Sequence, residues 1–239
     1  MEDTIAAIST AYGEGGIGII RISGEHSGQI LNKIFQAKAG DVCKPRHLTY
    51  GHIVDIYNEN KIIDEVLAAF GEGDLLLLQN EINGIPRLIE NAHARGMRIV
   101  LNPSPYDEVI SECDLSKVSI LLVNEIEGWQ ISAQRKPDSI LEVLAHQYPE
   151  LAVVLTLGSQ GVVYQHQSER FSHGIYPVPV VDTTAAGDTF TGYFLAGMTR
   201  GLSVPQSLEL ASKASSIAVT RHGAAPSIPL LREVESYAF

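Results

Sequence analysis

The apolar positions of this chain change texture along its length. From about residue 71 onward, short continuous apolar runs alternate with segments in which apolar residues recur every three or four positions. The runs at 74–79, 98–101, 118–123 and 151–157 predict strands buried on both faces, as parallel strands are. Ile85, Leu88, Ile89 and Ala92 share one face of a helix predicted over 85–95, with Gly96 just past its end. Further helices are predicted over 139–147, 186–199 and 204–220, with a short helical piece around Ile110. Segments 162–165 and 171–175 read as an antiparallel addition. Strand and helix alternating at this spacing predict an α/β fold: a layered, mostly parallel sheet with helices on both faces, and ligands at the C-terminal ends of the strands.

The first 70 residues read differently, as an α+β segment. Segments 4–10 and 17–23 are β-prone and flank the turn Gly13-Glu14-Gly15-Gly16. A helix opens at Ser23-Gly24, with Ile30, Leu31, Ile34 and Phe35 at three-to-four spacing. Segments 48–56 and 62–69 look like the arms of a hairpin around Tyr57-Asn58-Glu59-Asn60. The change near residue 70 is abrupt, and Ala68-Ala69-Phe70-Gly71-Glu72-Gly73 is too short for a flexible linker. Two domains follow, 1–70 and 71–239.

Composition narrows the function classes. The chain has 239 residues, 45% hydrophobic and 19% charged, so it is a globular sequence able to bury a core. No apolar run approaches the roughly 18 residues of a membrane helix. The acidic start, Met1-Glu2-Asp3-Thr4, lacks a basic leader region, so a cytoplasmic chain without membrane contact is expected. Cys43 and Cys113 form no motif and are expected as reduced thiols. The net charge is −11, with 6 basic and 9 acidic residues in 1–70 and 11 and 19 in 71–239. Binding to nucleic acid is not expected, because phosphate neutralisation needs clustered Lys and Arg.

The densest chemistry lies in Val181-Asp182-Thr183-Thr184-Ala185-Ala186-Gly187-Asp188-Thr189-Phe190. Small residues sit where a helix begins, and the first N–H groups of a helix have no partner within it. Together with the positive end of the macrodipole they form an anion site. Asp188, in the first turn, is placed to take a proton from an attacking hydroxyl while the N–H groups hold a phosphoryl group. The alternative for an Asp at such a position is a helix cap.

Segment 182–194 resembles the C-terminal signature of the PfkB carbohydrate kinases, in its ribokinase-like form. The rest of 74–232 agrees in order: Asn102-Pro103-Ser104-Pro105, Asn124-Glu125-Ile126-Glu127, Thr156-Leu157-Gly158-Ser159-Gln160-Gly161, and Thr220-Arg221-His222-Gly223-Ala224-Ala225-Pro226-Ser227. The resemblance implies a ribokinase-like fold with ATP, Mg²⁺ and K⁺ as cofactors and a sugar as acceptor. It implies Asp188 as catalytic base, and the N–H groups of Ala185, Ala186, Gly187 and Asp188 as an anion hole. Asn124 and Glu127 would organise Mg²⁺ through water. Thr156, Gly158 and Gly161 would hold the nucleotide, and 219–224, with His222 and Gly223, would wall the base. K⁺ would sit near Asp182, Thr184 and Ser227. Read without the family, Asn124 and Glu127 are also compatible with a solvated helix start.

Residues 1–68 depart from that family. No Gly-Gly-x-x-x-Asn motif precedes residue 74, and the sugar-contacting half of a ribokinase-like enzyme is not visible. The stretches 3–10, 13–24, 45–53 and 63–67 instead resemble the start of the folate-binding N-terminal domain of TrmE-type tRNA-modification GTPases. The chain contains no Gly-x-x-x-x-Gly-Lys-[Ser/Thr], so it has no P-loop. Gly13-x-Gly15-x-x-Gly18 leads into a strand-like run rather than the helix a dinucleotide fingerprint needs. The eight histidines show no metal spacing. The sequence therefore reads as a chimera: a folate-domain segment followed by the ATP-binding half of a sugar kinase. Sugar phosphorylation by this chain is expected to be impaired. A non-catalytic nucleotide-binding or structural role is the alternative, with folate or tRNA-modification-related binding by 1–70 a lesser one. The sheet edge left bare by truncation is expected to pair with part of 48–56 and 62–69, or in a homo-oligomer.

Overall fold

A computed structural model describes residues 63, 64, 66–80, 82 and 84–238, together with Gln29 and four upstream strands. The chain divides into two compact units, 1–62 and 63–239. In the first, β1 (Ile5–Ile8) pairs antiparallel with β2 (Ile20–Ser23). The third strand, β3 (Phe35–Ala37), pairs antiparallel with β4 (Gly51–Ile53). Phe35 is thus in a strand, not at the end of the predicted helix. Of that helix, Gln29 is helical and the remainder lies outside the described residues. So do the turns at 13–16 and 57–60, and Cys43.

The hairpin over 48–56 and 62–69 does not form. Residues 51–53 pair with β3, and Ile63, Asp64, Val66 and Leu67 are helical. Ile63 and Leu67 are four apart, so a helix puts both on one face, and both are buried in the core of the second unit. A strand would have put Glu65 on the face they share. Among the described residues, no part of 48–56 or 62–69 is a strand of the large sheet described next.

The second unit contains six strands in the order β10-β9-β8-β7-β6-β5. Strands β5 (Leu75–Gln79), β6 (Arg98–Asn102), β7 (Ile120–Asn124) and β8 (Ala152–Thr156) are parallel. Strands β9 (Val162–His166) and β10 (Glu169–His173) continue the sheet antiparallel. After the helical residues 63, 64, 66 and 67, the α-helices among the described residues are α1 (Ile85–Ala94), α2 (Glu108–Ser111), α3 (Glu125–Ser132), α4 (Pro137–Gln147), α5 (Ala186–Thr199), α6 (Val204–Ala218) and α7 (Leu231–Ser236).

The period of two along the strands divides the core between the faces of the sheet. Ile99, Leu101, Leu121, Val123, Val153 and Leu155 point into a cluster with Ile85 and Ile89 of α1 and Leu141 and Leu144 of α4. Val100, Ile120, Leu122, Ala152 and Val154 point the other way, against Phe190 and Phe194 of α5 and Leu208 of α6. Phe194 is fully buried, and its truncation to Ala is worth about 3–5 kcal/mol. The chain is therefore an α/β protein with helices on both faces of a mostly parallel sheet. Burial pushes the Cys113 thiol up to about 11, which suits an inert core thiol. Among the described residues, no helix is long and apolar enough to cross a membrane.

Candidate functional site

The strand ends and helix starts of the second unit meet around a cavity of about 780 Å³. That volume lies within the range of small-molecule and cofactor sites, about 300–1,000 Å³. Four stretches singled out from sequence reach its wall: 124–126, 156–161, 183–187 and 219.

The start of α5 is open. Ala185 adopts the left-handed conformation, φ 60° and ψ 10°, and no side chain caps the helix. For a non-glycine residue this conformation costs roughly 1–2 kcal/mol, and such strain concentrates at functional sites. The Ala186 N–H bonds Thr183 O at 3.2 Å, and the Thr189 N–H bonds Ala185 O at 2.9 Å. Between them, the N–H groups of Gly187 and Asp188 are those that helix geometry leaves without an internal acceptor. Ala186 and Gly187 line the cavity, and a Cβ on Gly187 would meet nothing within 4 Å. The glycine therefore leaves space for a ligand, not for a neighbouring side chain. Asp188 is exposed, and its Oδ1 accepts from Gln79 Nε2 at 3.0 Å.

Asp182 ties this helix start to the late loop. Its Oδ1 accepts from the Thr184 N–H at 2.9 Å and its Oδ2 from the Gly223 N–H at 3.0 Å. The Thr184 side chain and these N–H groups hold its carboxyl down to about 2. Val219 O accepts from the N–H groups of Val181 (2.8 Å) and Asp182 (3.2 Å). Arg221 in turn pairs with Glu233 of α7. Ser215 of α6 donates its hydroxyl to Ala186 O at 3.0 Å. Ser227 is buried in its own turn and donates to Ala224 O at 2.7 Å. Gly223 reaches the site through Asp182, while His222 is exposed and neither belongs to the cavity wall.

The 124–127 corner is a closed helix start. Asn124 Oδ1 accepts from the N–H groups of Ile126 (2.8 Å) and Glu127 (3.0 Å), and Glu127 Oε2 accepts from the Asn124 N–H at 3.0 Å. This is a complete capping box. Glu127 is buried, only 6% exposed, while Asn124, Glu125 and Ile126 are exposed. Asn124, Glu125 and Ile126 line the cavity, and Glu127 stands behind them.

Thr156, Gly158 and Gly161 all line the cavity at the end of β8. The turn closes through Leu157 N–H to Gly161 O at 2.8 Å. Gly161 has φ 90°, and a Cβ there would lie 2.1 Å from His173 O. Only glycine fits.

No sequence motif marks the wall made by Ile175, Tyr176, Pro177, Val178 and Val180, whose only local signal is an apolar run alternating with proline after β10. Gln79 is likewise unmarked, a single polar residue ending an apolar strand.

Residues 56–231 match the model of the pfkB family carbohydrate kinases, and residues 4–74 match that of the GTP-binding protein TrmE N-terminus. The ribokinase of Schizosaccharomyces pombe is 37% identical over 172 residues, covering 68% of this chain and 54% of that protein. The tRNA modification GTPase MnmE of Alkaliphilus metalliredigens is 53% identical over 76 residues, 30% of this chain and 16% of that one. The Arabidopsis thaliana ribokinase complexed with ribose and ATP superposes with a TM-score of 0.65 at 27% identity, covering 81% of this chain and 67% of that one. The chain spans about half the length of the curated ribokinases it matches. The two resemblances overlap over 56–74 and otherwise follow one another along the sequence, as in a chimera, and on the strength of residues 56–231 the chain belongs to the pfkB family of carbohydrate kinases.

Proposed function

We propose that the second unit binds ATP in this cavity and that Asp188 serves as base for phosphoryl transfer to a sugar hydroxyl. The observation that carries the reading is the uncapped start of α5. Gly187, whose N–H has no helical acceptor, lines a cavity of nucleotide size, and the next residue, Asp188, adds a second such N–H and a carboxylate in the same turn. The N–H groups of Gly187 and Asp188, with that of Ala185 beside them, hold the phosphoryl group, while the Ala186 N–H is engaged by Thr183 O. The apolar wall at 175–180 receives the base, and Thr156, Gly158 and Gly161 hold the nucleotide. Val219 borders it from the late loop, and Gly223 acts on the site through Asp182.

Mg²⁺ would be held mainly by the phosphates, with Glu125 on the wall, Asn124 beside it, and Glu127 acting through water. A monovalent cation such as K⁺ would be held by backbone oxygens at Asp182 and Thr184 and by the Ser227 hydroxyl, whose lone pairs remain acceptors while its proton goes to Ala224. Those donor sets suit the groups, because every donor named is an oxygen.

Turnover on ribose is proposed to be slow. Positioning is most of phosphoryl-transfer catalysis, and residues 4–74 match another family where a sugar kinase would carry sugar contacts. We further propose a cytoplasmic homo-oligomer divided functionally near residue 70, with the β5 edge paired to a second copy. Strand β5 pairs only with β6 among the described residues, and Leu77 on it is 42% exposed. Sedimentation tests this, and a concentration-independent monomer would overturn it.

Titration calorimetry with ATP and Mg²⁺ tests the main reading, followed by ribose-dependent ADP release. Saturable heat with slow, ribose-dependent release is expected. Absence of both heat and thermal shift would sink nucleotide binding.

A further inference from the structure

Gln79 and Asn102 are direct partners across the parallel ladder of β5 and β6. Each ends its strand, and each turns its side-chain amide onto α5. Gln79 Nε2 donates to Asp188 Oδ1 at 3.0 Å, and Asn102 Nδ2 donates to Thr191 Oγ1 at 3.4 Å. Asp188 and Thr191 are three apart and so lie on the same side of α5. The two donors stand one strand apart, about 4.8 Å. The two acceptors are separated by a helical rise of about 4.5 Å. Two bonds at different levels hold the helix against tilting as well as against rotation about its axis.

The two differ in setting. Asn102 is buried, 9% exposed, and Thr191 is buried beside it, so that rung is part of the helix–sheet packing. Gln79 is half-buried and Asp188 exposed, so packing alone does not orient the carboxylate. An exposed aspartate otherwise samples several rotamers. A donor on Oδ1 selects one of them and leaves Oδ2 as the acceptor.

We propose that Gln79 is a positioning residue for Asp188: its amide holds Oδ1 and presents Oδ2 to the phosphoryl acceptor, with Asn102 setting the rotation of α5 beneath it. The catalytic part of this role rests on Asp188 being the base. The bond itself does not. Gln79→Leu keeps the side chain's bulk and removes the donor. Gln79→Glu puts a carboxylate against Asp188.

Two measurements decide the matter. In ¹⁵N-labelled protein the Gln79 side-chain amide pair, identified by its loss in Gln79→Leu, is expected to shift in Asp188→Ala, which removes the acceptor. An unmoved pair would overturn the proposal whatever the activity. In ribose-dependent ADP release, Gln79→Leu is expected to lower kcat about tenfold, the scale of one hydrogen bond to a charged group. KM for ATP should stay unchanged, and Gln79→Glu should fall further. Equal kcat in wild type and Gln79→Leu would also overturn it. A wild type without turnover but with the amide shift would defeat the kinase reading and leave the positioning of the carboxylate standing.

Discussion

Two helices begin on the wall of the same cavity and treat their free N–H groups in opposite ways. Helix α3 closes its own start. Asn124 and Glu127 bond each other's backbone N–H groups, and Glu127 is buried in doing so. Helix α5 leaves its start open, with a left-handed Ala185, no side-chain cap, and glycine where a side chain would have room. A capping box satisfies the helix internally and leaves less for a ligand to do. An uncapped start stores unmet donors that a phosphate can satisfy. The same structural position thus serves stability in one helix and is available for binding in the other. Motif resemblance alone puts both on an equal footing as ligand sites.

Substitutions test that contrast, and the open start should respond most strongly. Asp188→Asn should lower ribose-dependent ADP release by about 100-fold or more, the scale of losing a general base, while calorimetric ATP affinity stays unchanged. A variant that retained turnover would remove Asp188 from the chemistry.

Gly187→Ala should separate binding from stability. A methyl there meets no protein atom within 4 Å, and alanine favours the helix, so denaturant unfolding should show a gain of about 0.5–1 kcal/mol. ATP affinity should fall about tenfold, because the methyl crowds the N–H groups. A gain in both would mean the ligand lies elsewhere.

At the closed start the balance is reversed. Asn124→Ala should lower stability by about 1 kcal/mol through loss of the cap. Its effect on ATP affinity should be smaller than that of Gly187→Ala. If the two variants weakened binding equally, the contrast between the helix starts would not describe the site.

The smallest effect concerns acid. The Asp182 carboxyl is lowered in the folded protein from 3.8 to about 2 by Thr184 and the Gly223 N–H. A lowered folded value stabilises above the unfolded value and is lost as pH falls through the folded one. The melting-temperature difference between wild type and Asp182→Asn should therefore shrink as pH drops from 3.8 to 2. A difference constant over that window would rule out Asp182 as its source.

Much of the second unit is legible in the sequence because its signals are local. The strands and main helices of 74–220 follow from apolar runs and three-to-four spacing, since burial on both faces of a parallel sheet leaves few other patterns. The first unit is less legible. Phe35 stands four residues after Leu31, a helical spacing, yet it pairs as a strand. A three-residue ladder depends on its partner at 51–53 more than on its own pattern. Residues 62–69 read as a strand by their apolar content, although Ile63 and Leu67 carry the helical spacing that the core uses.

The α/β class, the two family resemblances and the motif residues at 124–126, 156–161 and 183–187 can be read from the chain alone. Those follow from periodicity and from motifs contiguous in the chain. The burial of Glu127 in a capping box, the lacing of the α5 start to Gly223 by Asp182, and the reach of Gln79 to Asp188 across 109 positions exist only in the folded chain. Such contacts depend on which strand ends lie side by side, and no local pattern of polar and apolar residues encodes that.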